Sequence, residues 1–123
     1  MIYLISSQKR LDTEDIREGT IEKCLEYFKD KEYIGLDTET EGFNPYINKL
    51  LTVQLGDFDN QFVIDCKTID ITIFKNFLED KNKIFLLHNA KFDLRFFYHN
   101  SIFIQNVYDT FLAECILTTG FTE

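Results

Sequence analysis

From Ile34 to Phe43 the chain reads I-G-L-D-T-E-T-E-G-F, an apolar strand that turns into a cluster of acids within a few residues. Tyr33, Ile34 and Leu36 suit a strand with a buried face, and Gly42, Asn44 and Pro45 are turn residues that end the extended run. Side chains alternate along a strand, so Asp37 and Glu39 point to one side and Thr38 and Thr40 to the other. Two carboxylates on one face at the end of a core strand repel each other unless a cation lies between them, and a divalent metal ion is the simplest such cation. The same residues equally suit solvated acids at a strand end, so the metal reading needs support from a second element.

A chain of 123 residues suits one compact domain, and with 45% hydrophobic residues and 13 Phe it has the material for a core. No apolar run approaches a membrane span, and M-I-Y-L-I-S-S-Q-K-R puts its apolar residues before its basic ones, the reverse of a secretory signal. A soluble, cytoplasmic protein is the expectation. Cys24, Cys66 and Cys115 are odd in number and widely spaced, which argues against a disulfide framework or structural zinc and for three small buried hydrophobes. A net charge of −8, from 21 acids against 13 bases, argues against coating nucleic acid through its phosphates. It leaves room for an enzyme that grips a strand end through metal ions, because bound cations reverse the local field.

Along the chain, Ile2 to Ile5 reads as a first strand or an edge, and Ser6 to Gly19 as a polar loop. Thr20 is placed as the N-cap of a helix with Ile21, Cys24, Leu25 and Phe28 at helical spacing. Tyr33 opens the acid-bearing strand, and Leu50 to Leu55 and Gln61 to Ile64 follow as a hairpin closed by G-D-F-D-N. Asp70 to Asp80 is expected to be helical through Ile73, Phe74, Phe77 and Leu78. Lys83 to Leu87 is a strand, and a helix starts near Ala90 with Phe92, Phe96 and Phe97 facing the core. Ile102 to Val107 is a short strand candidate, and Asp109 to Thr118 a last helix. The fold class is α/β: a three-strand antiparallel meander, then parallel strands joined by crossover helices in one mixed sheet. Phe111, Leu112, Ile116, Leu117 and Phe121 are apolar, and nothing after them in the sequence would cover them.

The second acid-bearing stretch is L-H-N-A-K-F-D-L-R-F-F, Leu87 to Phe97. Asp93 follows Asn89 by four residues, on one face of the first helical turn, where an N-cap and a first-turn acid would also account for them. Combined with the D-x-E that closes another strand of the same sheet, it brings Asp37, Glu39 and Asp93 towards one cleft.

In order and spacing, I-G-L-D-T-E-T-E-G-F, L-L-H-N-A-K-F-D and V-Y-D-T-F-L-A-E-C-I-L resemble the 3′–5′ exonuclease domain of A-family DNA polymerases, within the DEDD superfamily that also includes ribonuclease D. The resemblance runs from Ile34 to the end of the chain and implies an RNase H-like fold with two-metal phosphodiester hydrolysis. Under it, Asp37, Glu39 and Asp93 are three of the family's four metal-binding acids, holding two Mg²⁺ ions with Mn²⁺ as a substitute, and Glu39 also helps to position the attacking water. Thr40, Phe43, Asn89, Lys91 and Arg95 are the candidate substrate contacts. Phe43 matches an apolar position against the terminal bases, with a core or turn-capping role as the even alternative. Asn89 matches a residue near the strand backbone. Lys91 and Arg95, four apart, suit phosphate or a solvated helix face alike. Asp109 matches the acid of a D-T that opens the next helix, first as its cap and second as a member of the site.

The family's fourth acid, in Y-x-x-x-D or H-x-x-x-D on a later helix, does not occur in these residues. The expectation is therefore a single partial domain over residues 1–123, C-terminally truncated and completed by further helices from a polymerase domain or a separate chain. Its implied substrate is the 3′ end of single-stranded or frayed DNA, in proofreading, in a bacterial or phage-infected cell and away from any membrane. Two other readings remain: a non-catalytic remnant that binds a polymerase or another partner, and a ribonuclease D-like RNA exonuclease.

Overall fold

The computed structural model describes residues 1–8 and 14–121, with side chains up to residue 117. Strand β1 (Ile2–Ile5) is followed by β2 (Ile16–Glu18), helix α1 (Ile21–Phe28), β3 (Tyr33–Thr40), β4 (Leu50–Gly56) and β5 (Gln61–Asp65). A 3₁₀ turn (Ile71–Phe74) then runs into α2 (Lys75–Leu78), β6 (Ile84–Leu87), α3 (Ala90–His99), β7 (Val107–Asp109) and α4 (Thr110–Phe121). The strands form one seven-stranded sheet in the order β2-β1-β5-β4-β3-β6-β7. β3, β4 and β5 make the expected antiparallel meander, while β6 lies parallel to β3 and β7 parallel to β6, with a helix in each connection.

Alternation divides the sheet into two unlike faces. Ile34, Leu36, Val53, Leu55, Phe62, Ile64 and Phe85 share one face and are buried with Phe28, Phe74, Leu78, Phe96 and Phe97 from the helical layer. Rings lock the layers together: Phe28 meets Phe62 at 5.6 Å and Phe77 meets Phe85 at 5.7 Å between centroids. Each such phenylalanine stabilises the fold by roughly 1.5–3 kcal/mol through burial. The other face carries Tyr33, Gly35, Asp37, Gln54, Gly56 and Gln61, and Tyr33 and Gln61 are exposed.

Local chemistry explains most boundaries. Thr20 caps α1 as its sequence predicts, accepting from the Lys23 N–H at 3.0 Å, which contributes about 1 kcal/mol. The far end of α1 is closed by Lys83, only 6% exposed, whose ammonium donates to the carbonyls of Phe28, Lys29 and Lys31 at 2.7, 3.1 and 2.9 Å. At the β4–β5 turn, the Asp57 carboxylate accepts from the N–H groups of Asp59 and Asn60, the Tyr27 hydroxyl and the Lys31 ammonium. The turn is thereby tied to α1.

Four expectations are corrected. Within Ser6 to Gly19, Ile16–Glu18 forms an edge strand beside β1 instead of loop; residues 9–13 lie outside the described residues. Ile73 is 52% exposed while Ile71 is buried, because the segment begins as a 3₁₀ turn, whose three-residue repeat stacks Ile71 with Phe74. The strand placed at Ile102 to Val107 begins only at Val107. Ile102 and Ile104 are buried, but the neighbouring backbone bonds to side chains: Ser101 O accepts from Lys75, and the Phe103 N–H donates to Glu79. Cys24 is fully buried, which pushes its thiol up to about 12, whereas Cys115 is exposed.

Candidate active site

The acid-bearing strand ends in a distortion. β3 pairs with β4 through Asp37↔Gln54 and Glu39↔Thr52, and the register then slips between Glu39 and Thr40. A bulge at this position bends the strand end and re-aims its side chains. Asp37 and Glu39 are exposed, and the Thr40 hydroxyl donates to the Gly42 carbonyl at 2.7 Å, closing the turn. On the opposite face Thr38 is buried, and its hydroxyl donates to the carboxylate of Asp93 on α3.

Asp93 is 4% exposed. Burial pushes its carboxyl above the ordinary range; the Thr38 hydroxyl opposes this, and the negative charges of Asp37 and Asp109 add to it. Asp93 thus lies within electrostatic reach of the strand that carries the other two acids. The donor set is all carboxylate oxygen, which suits a hard divalent cation, and Asp93 has no ion-pair partner among the described residues. Asp37, Glu39 and Asp93 would hold such an ion. As the side chains stand, no three His, Cys, Asp or Glu residues gather closely enough to hold a metal among the described residues.

The start of α3 is fixed from outside. Asn89 occupies its N-cap position in the left-handed region, at φ 62° and ψ 58°, and its side chain makes no capping bond. The cap comes from Asp109, whose carboxylate accepts from the N–H groups of Asn89 and Ala90 at 3.0 and 2.9 Å. The same carboxylate accepts from Phe111 and Leu112 at 3.0 and 3.3 Å, so it caps α4 as well. Burial raises the Asp109 carboxyl, but these four backbone donors outweigh it and hold it below the ordinary range.

Phe43 is 84% exposed and meets Phe92 edge-on at 6.0 Å, so it is no core residue. Lys91 and Arg95 are exposed along α3. On the open face of the sheet, Tyr33, Asp37, Gln54, Phe58, Leu87 and His88 line a cleft of about 780 Å³. Its floor is bare because Gly35 and Gly56 face each other across β3 and β4; a Cβ on Gly35 would stand 3.1 Å from the Gly56 carbonyl oxygen. Two roles escaped the sequence reading. Thr38 was detectable as a polar residue on the buried side of the strand, whereas the double cap by Asp109 depends on tertiary contact.

A mixed sheet flanked by helices, with acids at the end of its central hairpin and in the first turn of a crossing helix, defines an RNase H-like nuclease fold. The sequence model described as 3′–5′ exonuclease matches residues 13–121, and the chain belongs to that family, the exonuclease type of A-family DNA polymerases. It is 33% identical to DNA polymerase I of Aquifex aeolicus (strain VF5) over 101 residues, covering 81% of this chain and 16% of that one. Among solved structures it resembles Brucella melitensis NrnC bound to pGG, with a TM-score of 0.64 and 26% identity over 76% of this chain and 48% of that one. Escherichia coli RNase D, an exoribonuclease involved in structured RNA processing, follows at a TM-score of 0.60 and 28% identity, over 71% of this chain and 24% of that one. The chain therefore spans half or less of the length of these relatives. None of its helices is long and apolar enough to cross a membrane among the described residues.

Proposed function

We propose that residues 1–123 are the front part of one 3′–5′ exonuclease domain, which removes nucleotides from single-stranded or frayed DNA 3′ ends in proofreading. The observation that carries this reading is the buried carboxyl of Asp93 held by Thr38, the residue between Asp37 and Glu39. Such a carboxyl is costly to ionise alone and gains most from a shared cation. Bound Mg²⁺, with Mn²⁺ as a substitute, would activate the attacking water and neutralise the leaving 3′ oxygen. Brucella melitensis NrnC, also solved with Mg²⁺, supports that choice. Thr38 orients Asp93, Asp109 anchors the first turn of α3, and Glu39 positions the attacking water. The uncommitted Asn89 side chain, Thr40, Lys91 and Arg95 take the strand backbone, and Phe43 stacks on a terminal base. The fourth acid is supplied by helices of a longer polymerase chain or of a partner polymerase, in the cytoplasm of a bacterium or a phage-infected cell.

The test is Mg²⁺-dependent release of 3′ mononucleotides from a labelled oligodeoxynucleotide by the domain supplied with those helices. Asp37→Ala is expected to lower the rate at least 100-fold. Undiminished activity in that variant overturns the reading. RNA is the second candidate substrate, favoured by the likeness to RNase D, and matched ribo- and deoxyribo-oligonucleotides decide between them. A non-catalytic remnant instead predicts no Mn²⁺ binding in calorimetry and no effect of Glu39→Gln on it.

A further inference from the structure

A second groove lies between Pro45, Asn48 and Lys49 of the loop after β3 and the C-terminal end of α3. Lys49, Cys66, Lys67, Phe96, His99 and Asn100 are among the residues lining its roughly 550 Å³. α3 connects this groove to the candidate acids. His99 lies six residues beyond Asp93, about 9 Å further along the helix axis. That is the reach of two or three nucleotides at about 3.4 Å or more per phosphate.

The rim is built for an unpaired strand. Tyr46 is 79% exposed and stands edge-on to His99 at 4.3 Å between ring centroids, as Phe43 does to Phe92 near the start of the helix. Both rings thus meet aromatic side chains of α3 and are largely exposed. The loop carrying them is held by its own bonds, Asn48 N–H to Asn44 O at 2.8 Å and Tyr46 N–H to the Asn44 side chain at 3.0 Å, so little ordering remains to be done on binding. In a chain with net charge −8, the groove brings two lysines to one place. Neither ammonium forms an ion pair among the described residues. The acids nearby have hydrogen-bond donors of their own: Asp70, which also lines the groove, caps the 3₁₀ turn, Glu41 accepts from the Lys49 N–H, and Asp65, whose carboxyl the Lys67 charge helps to hold down, accepts from Ser6, Thr68 and the Lys67 N–H.

We propose that this groove is an upstream subsite for single-stranded nucleic acid, where Lys49 and Lys67 bind backbone phosphate and Tyr46 stacks on a base two or three nucleotides from the 3′ end. The inference rests on the exonuclease reading and adds where the strand runs after it leaves the acids. It is tested by fluorescence anisotropy with the full chain, Mg²⁺ and phosphorothioate-linked oligothymidines of two and eight nucleotides, which resist cleavage. The eight-mer should bind more tightly than the dimer. Lys49→Gln/Lys67→Gln should reduce eight-mer affinity on the order of tenfold at low salt and cut the log–log salt slope by about 1.4, the loss of two single-strand phosphate contacts. Tyr46→Ala should cost about fivefold or more in eight-mer affinity, the lower end of one lost stacking contact. If the eight-mer binds no better than the dimer, or the lysine variant keeps its salt slope, the groove is overturned while the exonuclease reading stands. If the wild-type chain binds neither oligonucleotide, the nucleic-acid reading and the groove fall together.

Discussion

At the scale of single residues, the site depends on a threonine that the acids overshadow. Thr38 is the hydroxyl donor to the buried Asp93 carboxylate. Thr38→Val keeps the shape but removes the donor, leaving a buried acceptor unmet at a cost of about 1–3 kcal/mol. The expected outcome is a lower urea midpoint with an unchanged m-value, together with reduced Mg²⁺-dependent activity in the completed domain; an unchanged midpoint would show that the bond is dispensable. A second residue sets an acid limit to stability. Burial raises the Asp57 carboxyl, but the Lys31 ammonium, the Asn60 and Asp59 N–H groups and the Tyr27 hydroxyl more than reverse this and hold it well below the ordinary carboxylate range. A depressed folded-state pKa means that the stabilisation is fully present above the unfolded value, about 3.9, and is lost as pH falls through the folded one. The gap in urea midpoint between wild type and Asp57→Asn should be constant from pH 7 to about 5 and close below about 4. A gap that persists unchanged at pH 2 would contradict this origin.

At the scale of elements, helix ends are closed by residues distant in sequence. Lys83 sits at the entrance to β6 yet terminates α1, 52 to 55 positions away, by donating to three carbonyls. Lys83→Met fills the space and strands those carbonyls, and should destabilise by roughly 2–3 kcal/mol in chemical unfolding. Asp109→Ala removes the cap from α3 and α4 together, so the loss should approach the upper end for a cap, about 2 kcal/mol, with amide exchange quickening at both helix starts. Exchange that quickens only at Phe111 and Leu112 would mean that Asp109 serves α4 alone. These cases show where sequence reading stops. The hairpin β4–β5, the cap at Thr20 and the placement of Phe92, Phe96 and Phe97 were legible because each follows from local periodicity or turn chemistry. β2 was hidden because Ile16–Glu18 has too few residues for alternation to show, and it is defined by pairing with β1. The source of the α3 cap was hidden for a similar reason. Asparagine there satisfies the local rule, yet the bonds come from a carboxylate that β7 carries to the same sheet edge.

For the whole molecule, the governing feature is the asymmetry of the sheet. One face is buried beneath phenylalanines, while the other exposes Tyr33 and Tyr108 and opens into the cleft beside Asp37. Phe111, Leu112, Ile116 and Leu117 on α4 are exposed too. Exposed apolar surface marks a contact site where it is contiguous over more than a few hundred Å². The chain spans 16% of its Aquifex aeolicus relative and about half of Brucella melitensis NrnC, so the added length in those proteins offers a source of cover. Burying apolar area contributes about 25 cal/mol per Å², so even 400 Å² covered would add on the order of 10 kcal/mol before ordering costs. If helices carrying the fourth acid pack on this face, two properties should change together when they are supplied in cis or as a separate chain. The melting temperature should rise, and Mg²⁺-dependent release of 3′ nucleotides should appear. Tyr33→Glu, which charges the open face without touching Asp37, Glu39 or Asp93, should weaken both gains. A rise in melting temperature without nuclease activity would instead favour the binding remnant, with the open face as its docking surface and the three acids as inherited but idle.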